Sequence, residues 1–505
     1  MIRTATVRRP GEGIDRRIWW LLAVVSFFAI LVVKEVTLPR MVMLAFGSIG
    51  LLGLFFAGFQ DPAIPLYMLV AYMPFSRVLV GNFGTSATAL NFTNILMVWV
   101  LIGHIVYRIS RGQQVTQSTP LDKLVWLFAL LGSISLFRGA WQYGSWYIMQ
   151  FLIPLKQWLT PIGCYFLVLW LVRDKTTMRT IVVLIMFTVV VVALMAIRDY
   201  LDMGDVSFER SRIGGIAQQP NTLGAFFNYY MFLFAAFWLI YIKRPKAWWL
   251  LVPFLICFRG IMVTFSRGAY LGFAAGSMAL AFVRSRMLFF VVLTIAVLMA
   301  IHPAFLPAGI RYRMGMTMER PVSDVYDEDL TETLESSAAL RLQIWQGALR
   351  MIQHEPWFGV GYGAFPRLVS EYTDVSVGYR DAHNSYLLIA AEMGIPTLVV
   401  FLVVLVVMAY YAWWLYRKTE DDFFKSTALG VLAGIAALLV ANMFGSRMDD
   451  QAVASYFWIL AAIVMRAVMM ERQIRSARTV KVAVDDAEVP VGPPRRRRRR
   501  VKGSR

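Results

Sequence analysis

The sequence predicts an all-α fold: a polytopic transmembrane helix bundle of about 12–14 spans, with one long outer loop that contains an amphipathic helix. Three observations predict it. Hydrophobic residues make up 58% of the 505 positions, charged residues only 16%, and the mean hydropathy is +0.59; a soluble domain carries about 25% charged residues. Apolar runs near the ~20 residues that a bilayer requires recur along the chain. Lys and Arg fall in the short loops on one side of those runs, the positive-inside pattern.

About fourteen runs are counted, starting near Ile18, Met41, Pro62, Phe92, Leu121, Phe151, Thr180, Thr222, Ala247, Gly268, Met287, Ile395, Thr427 and Val453. The first reads as a signal anchor, since it lacks a small-residue cleavage site. The third is interrupted by Pro65 and Pro74 and the sixth by Pro154 and Pro161, breaks tolerated where neighbouring helices satisfy the backbone. Basic clusters precede the first span (Arg3, Arg8, Arg9, Arg16, Arg17) and follow the fourth (Arg108, Arg111). Others separate the sixth and seventh (Arg173, Lys175, Arg179), eighth and ninth (Lys243, Arg244, Lys246), tenth and eleventh (Arg284, Arg286) and twelfth and thirteenth (Arg417, Lys418, Lys425). Simple alternation puts all of them on one side, which is the cytoplasm by the positive-inside rule, with both termini. The chain then divides into a cytoplasmic N-terminus 1–17, an N-terminal transmembrane bundle 18–302, an outer loop 303–383, C-terminal transmembrane helices 384–470 and a basic cytoplasmic tail 471–505.

The outer loop holds a helix that Ser336 or Ser337 can cap and that Pro356 ends. Leu340, Ile344, Trp345, Ala348, Leu349 and Ile352 recur at helical spacing, with Arg341, Gln343, Arg350 and Gln353 opposite. This helix lies on the membrane surface or packs over the bundle. A glycine-rich turn, Gly359-Val-Gly-Tyr-Gly363, follows. It imitates a potassium filter, but filters line a pore between two spans; no strand precedes it, so it is not a nucleotide loop either.

The net charge of +19 raises nucleic acid as a partner. Its distribution argues for topology instead, and the arginine tail, Arg495 to Arg500, has none of the stacking aromatics that single strands require. That tail is read as disordered and in contact with anionic lipid. Cys164 and Cys257 lie in apolar runs and read as core residues. The acidic run Asp324, Asp327, Glu328, Asp329, Glu332 and Glu335 matches no calcium loop, and no pair of histidines has metal-ligand spacing, so neither metal nor cofactor is expected.

Arginines on the outer side need a reason. Arg210 and Arg212 lie in Glu209-Arg-Ser-Arg-Ile-Gly-Gly215, ahead of Gln219-Pro-Asn221; Arg267 lies in Thr264-Phe-Ser-Arg-Gly-Ala-Tyr270. A guanidinium at a span end costs free energy unless it is paired or meets a ligand, and its planar fork suits a phosphate. The bland alternative is snorkelling to lipid phosphate. His383, in Asp381-Ala-His-Asn-Ser-Tyr-Leu387, closes the outer loop. It is a candidate proton acceptor near neutral pH, or else a hydrogen-bonded residue at a helix start. Asp381 could orient the ring, and Asn384 could support it. His104, His302 and His354 are weaker candidates.

These pieces together resemble the O-antigen ligase and polymerase superfamily of bacterial membrane glycosyltransferases. The likeness is carried by Ser266-Arg-Gly-Ala-Tyr-Leu271, Arg341-Leu-Gln-Ile-Trp345, His354-Glu-Pro-Trp-Phe-Gly-Val-Gly-Tyr-Gly-Ala-Phe365, His383-Asn-Ser-Tyr-Leu387 and Glu392-Met-Gly-Ile-Pro396, with Arg212-Ile-Gly-Gly and Pro220-Asn221 upstream. It covers roughly Arg198 to Leu405; the first spans and the tail add nothing to it, and such enzymes commonly have fewer spans than the runs counted here. The resemblance implies an inner-membrane enzyme that takes a glycan from an undecaprenyl-pyrophosphate carrier to an acceptor hydroxyl on the periplasmic face, without nucleotide sugar or metal. It implies a periplasmic site in which Arg212 and Arg267, with Arg210 in reserve, bind pyrophosphate and His383 is the catalytic base. The acceptor could be a lipid, a growing glycan or a protein hydroxyl. A transporter is the reading from another class; it should carry charges at the bilayer midplane, whereas the conspicuous ones here cluster at the outer ends.

Overall fold

The structure is a computed structural model that describes residues 58, 61–76, 92–204, 212–302, 304, 311, 334–374, 377–378 and 380–487. The first two apolar runs, Arg210, the acidic residues from Asp324 to Glu332 and the arginines from Arg495 to Arg500 lie outside the described residues.

Among the described residues the fold is all-α. All twelve runs from Pro62 onward are helical: α1 (Ala63–Tyr72), α2 (Phe92–Ile109), α3 (Asp122–Tyr143), α4 (Trp146–Leu171), α5 (Lys175–Asp202), α6 (Pro220–Tyr230) continuing as α7 (Phe232–Ile240), α8 (Leu251–Val263), α9 (Arg267–Arg284) and α10 (Arg286–Ile301) come first. After the outer loop, with α11 (Leu334–His354) and α12 (Ser385–Met393), come α13 (Ile395–Lys418), α14 (Asp422–Ala441) and α15 (Gln451–Ala487). Nine described helices are long and apolar enough to cross a membrane. α9 falls below that hydropathy because its 18 residues begin with Arg267 and end with Arg284; between them run small glycines and alanines. Those small residues admit close neighbours: a Cβ on Gly272 would stand 2.8 Å from Asn228 Nδ2, and one on Gly276 would stand 2.2 Å from the Phe232 ring. Close backbone approach of this kind is how helices associate in lipid, where burial of apolar surface supplies no drive. α9 packs most closely on α14, and α15 packs on α4.

The prolines expected to break the sixth run do not. α4 runs unbroken through Pro154 and Pro161. Each removes one amide donor, but α3 and α15 pack along the helix, the kind of support from neighbouring helices that keeps proline in membrane helices. Side-chain caps set other boundaries: Asp174 accepts from Thr177 N ahead of α5, and Asp421 accepts from Phe423 N and Phe424 N ahead of α14. Cys164 and Cys257 are buried and unpaired with each other. The polar tail read from about Glu471 begins inside a helix: α15 continues to Ala487, and Glu471 is buried where it accepts from Thr419 Oγ1 at 2.9 Å.

The contacts sort the loops into two ends. At one, Arg173 reaches the Gln114 carbonyl, Lys175 pairs with Asp421, Arg244 with Asp422 and Arg478 with Glu420; this basic end gathers the loops assigned to one side in the sequence. Arg212, Arg267, the outer-loop helix and His383 fall at the other.

Candidate functional site

Three chain segments meet at that second end, and each contains one left-handed residue. Gln218 (φ 56°), Phe265 (φ 48°) and His383 (φ 49°) are the non-glycine residues with positive φ among those described. Such a conformation costs about 1–3 kcal/mol per residue and persists where the surroundings impose it.

The first segment docks on the second. Arg212 Nη2 donates to Asn221 Oδ1 at 3.0 Å and its Nε to the Thr264 carbonyl at 3.5 Å, while Ile213 N donates to the Val263 carbonyl. Arg212 therefore bridges the start of α6 and the end of α8. The chain then turns through Phe265, and Ser266 caps α9 by accepting from Ala269 N at 3.3 Å. Arg267 is the first residue of α9, where the helix dipole and free amides favour an anion. Its side chain is half-buried.

The third segment is held from two sides. Trp345 Nε1 of α11 donates to the Ala382 carbonyl at 3.0 Å. Asn384 caps α12 by accepting from Tyr386 N and Leu387 N. Between them His383 turns onto Asp381, whose Oδ2 accepts from His383 N at 3.3 Å and lies 3.4 Å from His383 Nδ1. The carboxylate thus sits where it can fix the ring's orientation and leave Nε2 for another partner. Asn384 supports the backbone rather than the ring.

A residue absent from the sequence reading joins these segments. Arg447, in the turn between α14 and α15, is 1% exposed. Its Nη1 donates to the Ala441 carbonyl at 2.6 Å and Nη2 to the Phe444 carbonyl at 3.3 Å, while its backbone N donates to Ser385 Oγ at 3.1 Å. A Cβ on Gly268 would stand 3.3 Å from Nη2, so the guanidinium also abuts the start of α9. A continuous chain of contacts runs from Asn221 through Arg212, Thr264, Gly268 and Arg447 to Ser385, beside His383.

The electrostatics follow. Burial pushes His383 below the ordinary imidazole pKa; Arg341, Arg380 and Arg447 push the same way, and Asp381 opposes them. Neutral imidazole, the proton-accepting form, is favoured. Asp449 keeps an exposed face, yet the protein packed around it desolvates its carboxyl, which is pushed up to about 7, with Asp381 and Asp450 adding to the rise. Glu392 is pushed up to about 8 by burial, against the stabilising amides of Gly363 and Phe365.

Glu392 also explains the glycine-rich turn. Its Oε1 accepts from Phe365 N at 3.1 Å, Val360 N donates to the Ala391 carbonyl and Gly361 N to the Glu392 carbonyl. Gly359 has φ 69°, and a Cβ there would stand 2.3 Å from the Glu392 carbonyl carbon; only glycine fits. The turn ties α11 to α12 and lines no channel.

Two expectations for α11 change. The described helix, Leu334–His354, already includes Ser336 and Ser337, the residues expected to precede it as caps. Its buried stripe is Ile344, Ala348 and Met351, and Leu349 is 50% exposed: the side facing α12 is set one residue away from the stripe read by spacing. The helix packs over the bundle through α12.

Of the residues singled out in the sequence, Arg212 and Arg267 fall where α6, α8 and α9 meet, and Asp381, His383 and Asn384 fall together at the start of α12. His104 lies at the basic end, where its Nε2 meets the Val115 carbonyl at 2.8 Å, and His354 meets Tyr372 at the surface. Arg447, Asp449 and Lys156 were missed. Lys156 stands midway along α4, its Nζ enclosed with no hydrogen-bond partner; a proline-rich run disguised its depth. Arg447 and Asp449 carry a signal in Gly445-Ser-Arg-Met-Asp-Asp450, charges between two apolar runs on the side where short loops should be poor in arginine.

The fold and this cation-lined end define a multi-pass membrane protein whose α8–α13 segment carries a polar site at one end of the bundle. Residues 252–402 match the family model described as O-antigen ligase. Over that segment the chain is similar to O-antigen ligases, which bears out the resemblance read from the motifs; the match supports a membrane enzyme of the glycosyltransferase type, with a lipid-linked glycan donor and an acceptor. No curated protein matches the chain.

Proposed function

We propose that the chain transfers a glycan from an undecaprenyl-pyrophosphate carrier to an acceptor hydroxyl at the periplasmic face of the inner membrane. The supporting observation is the contact chain that brings Arg212, the start of α9 and the Asp381–His383 pair to the end opposite the basic loops.

The acceptor hydroxyl attacks the anomeric carbon as His383 accepts its proton. The bond from that carbon to the phosphate oxygen breaks, and the carrier pyrophosphate leaves with the bonding pair. Arg212 and Arg267 stabilise the charge that develops on the leaving oxygen, a role fixed donors perform without reorganisation. Asp381 orients the imidazole, and the guanidiniums around it keep it neutral. Arg210, separated from Arg212 by Ser211 alone, remains the reserve pyrophosphate ligand.

Polymerase and protein O-oligosaccharyltransferase readings share this chemistry and differ in the acceptor. Purified full-length protein, given a lipid-pyrophosphate glycan and lipid A core, carrier-linked glycan or a protein in turn, should release carrier pyrophosphate with one of them. Movement of the intact donor across a vesicle bilayer without cleavage would instead make the chain a transporter.

A further inference from the structure

The basic end holds a second cluster that the transfer reaction does not use. His104 on α2 is 1% exposed and Arg466 on α15 is 5% exposed. Arg108, at the end of α2, and Arg173, between α4 and α5, complete the group. Arg108 and Arg173 lie within electrostatic range of both His104 and Arg466.

Their hydrogen bonds go to uncharged acceptors. His104 Nε2 meets the Val115 carbonyl, Arg108 the Gln113 side chain, Arg173 the Gln114 carbonyl and Arg466 the Gln117 side chain. Segment 113–117 thus lies across the cluster and supplies amide oxygens alone. Among the described residues, three guanidinium donors stay enclosed with no hydrogen-bond partner, Nε of Arg108, Arg173 and Arg466, as does His104 Nδ1, the ring's acceptor nitrogen since Nε2 faces a carbonyl. The carboxylate in range of Arg466 is Asp174, but its two oxygens are engaged by Thr177 N at 2.8 Å and Thr177 Oγ1 at 2.7 Å, capping α5. The outer cations of the same end are different, since Lys175, Arg244, Arg475 and Arg478 each have a carboxylate partner.

Enclosed guanidiniums with idle Nε donors are costly unless an anion joins them. We infer that Arg108, Arg173 and Arg466, grouped beside His104, form an anion site at the basic end of the bundle, taking a phosphate oxyanion. A phosphate offers several acceptor oxygens in a tetrahedral array, which can meet several guanidiniums where one planar carboxylate meets fewer. The phosphate comes either from an anionic lipid headgroup reached along the bilayer or from a free phosphate in the aqueous phase. The site is separate from the donor site, and its occupancy ties α2, the α4–α5 loop and α15 together.

The test uses full-length protein in nanodiscs of phosphatidylcholine, with melting temperature as the readout. Inorganic phosphate is titrated in one arm, against chloride at matched ionic strength; in the other, phosphatidylglycerol replaces part of the lipid. A ligand that binds only the folded state should raise Tm saturably, by on the order of a few degrees. Arg173→Gln and Arg466→Gln should abolish the rise, while Arg244→Gln, at the same end but paired with Asp422, should retain it. A response to phosphate identifies the free anion, and one to phosphatidylglycerol alone identifies the headgroup. If Arg466→Gln does not fold, Arg173→Gln decides, because Arg173 is half-buried and lies in a loop. No saturable rise in either arm, or a wild-type response in Arg173→Gln, overturns the proposal.

Discussion

The two ends of the bundle both hold buried arginine, and they hold it differently. At the basic end, Arg466 and its neighbours face amide oxygens and one engaged carboxylate. At the other end, the two Nη atoms of Arg447 donate to the carbonyls of Ala441 and Phe444 while its Nε has no hydrogen-bond partner among the described residues, and the guanidinium stands against α9 and acts electrostatically on a histidine that has its own carboxylate. Arginine at the basic end is required by topology, whatever else it does. Arginine at the far end has no such reason, so its presence there, joined through Ser385 to the segment that carries Asp381 and His383, is the stronger functional signal. The difference between the ends is therefore a matter of partners and position, not of arginine count.

The most demanding test of that difference is His383. If it is the base, His383→Ala and His383→Gln should each lower turnover by about 10²–10⁴-fold while the donor still binds. The pH profile sharpens this. The neutral ring is the active form, and burial with three guanidiniums nearby lowers its pKa. Activity should fall with decreasing pH only below the ordinary histidine value of about 6.5. Asp381→Asn removes the opposing carboxylate, so the acid limb should move further down in pH. Near-normal turnover in His383→Gln would leave the ring a hydrogen-bonding role.

The arginines come next. Arg267→Ala and Arg212→Ala should each cost on the order of a hundredfold in turnover, and Arg267→Lys should also be impaired because it keeps the charge but loses the fork. Arg244→Ala at the basic end should leave turnover unchanged. Equal losses at both ends, measured at matched protein abundance, would remove the distinction between them.

A smaller effect tests the outer-loop helix. Trp345→Phe deletes one hydrogen bond to the Ala382 carbonyl, worth about 1 kcal/mol, or about a fivefold change. Because Trp345 positions the His383 turn, the loss should fall on turnover and not on donor binding, and the acid limb should shift with it. A loss confined to donor affinity would mean that the contact is merely structural.

How much of this was legible beforehand depended on the kind of signal. Helices were legible because ~20-residue apolar runs leave few alternatives, and the two ends because basic loops alternate with them. Arg212, Arg267 and His383 stood out as polar residues in the wrong compartment. Arg447 was not read, since a single arginine between two apolar runs looks like a loop residue until Ser385 and Gly268 close around it. Leu349 was misassigned because a regular spacing identifies a stripe, while the neighbouring α12 decides which edge of it is covered. Pro154 and Pro161 suggested breaks because sequence shows the lost donors and not the helices packed alongside.

The finest contrast between the ends lies in their ion pairs. Arg138 of α3 donates to Glu355, just after α11, at 2.9 Å, with the two side chains 26% and 28% exposed. This pair staples the outer-loop helix to the membrane bundle. Lys175–Asp421 at the basic end is comparably exposed, at 30% and 27%, but joins the starts of two membrane helices. Pairs so open to solvent are worth about 0.2–1 kcal/mol in double-mutant cycles, so both should contribute little to stability. Their effects on function should differ. Arg138→Ala and Glu355→Ala release one tether of the loop that positions His383, and the double variant should lose no more turnover than either single variant. Lys175→Ala and Asp421→Ala should leave turnover unchanged, although Asp421→Ala also removes the α14 cap and should lower Tm. Turnover that tracks Tm equally across all four variants would show that the staple acts through overall stability alone, and that the loop needs no tether of its own.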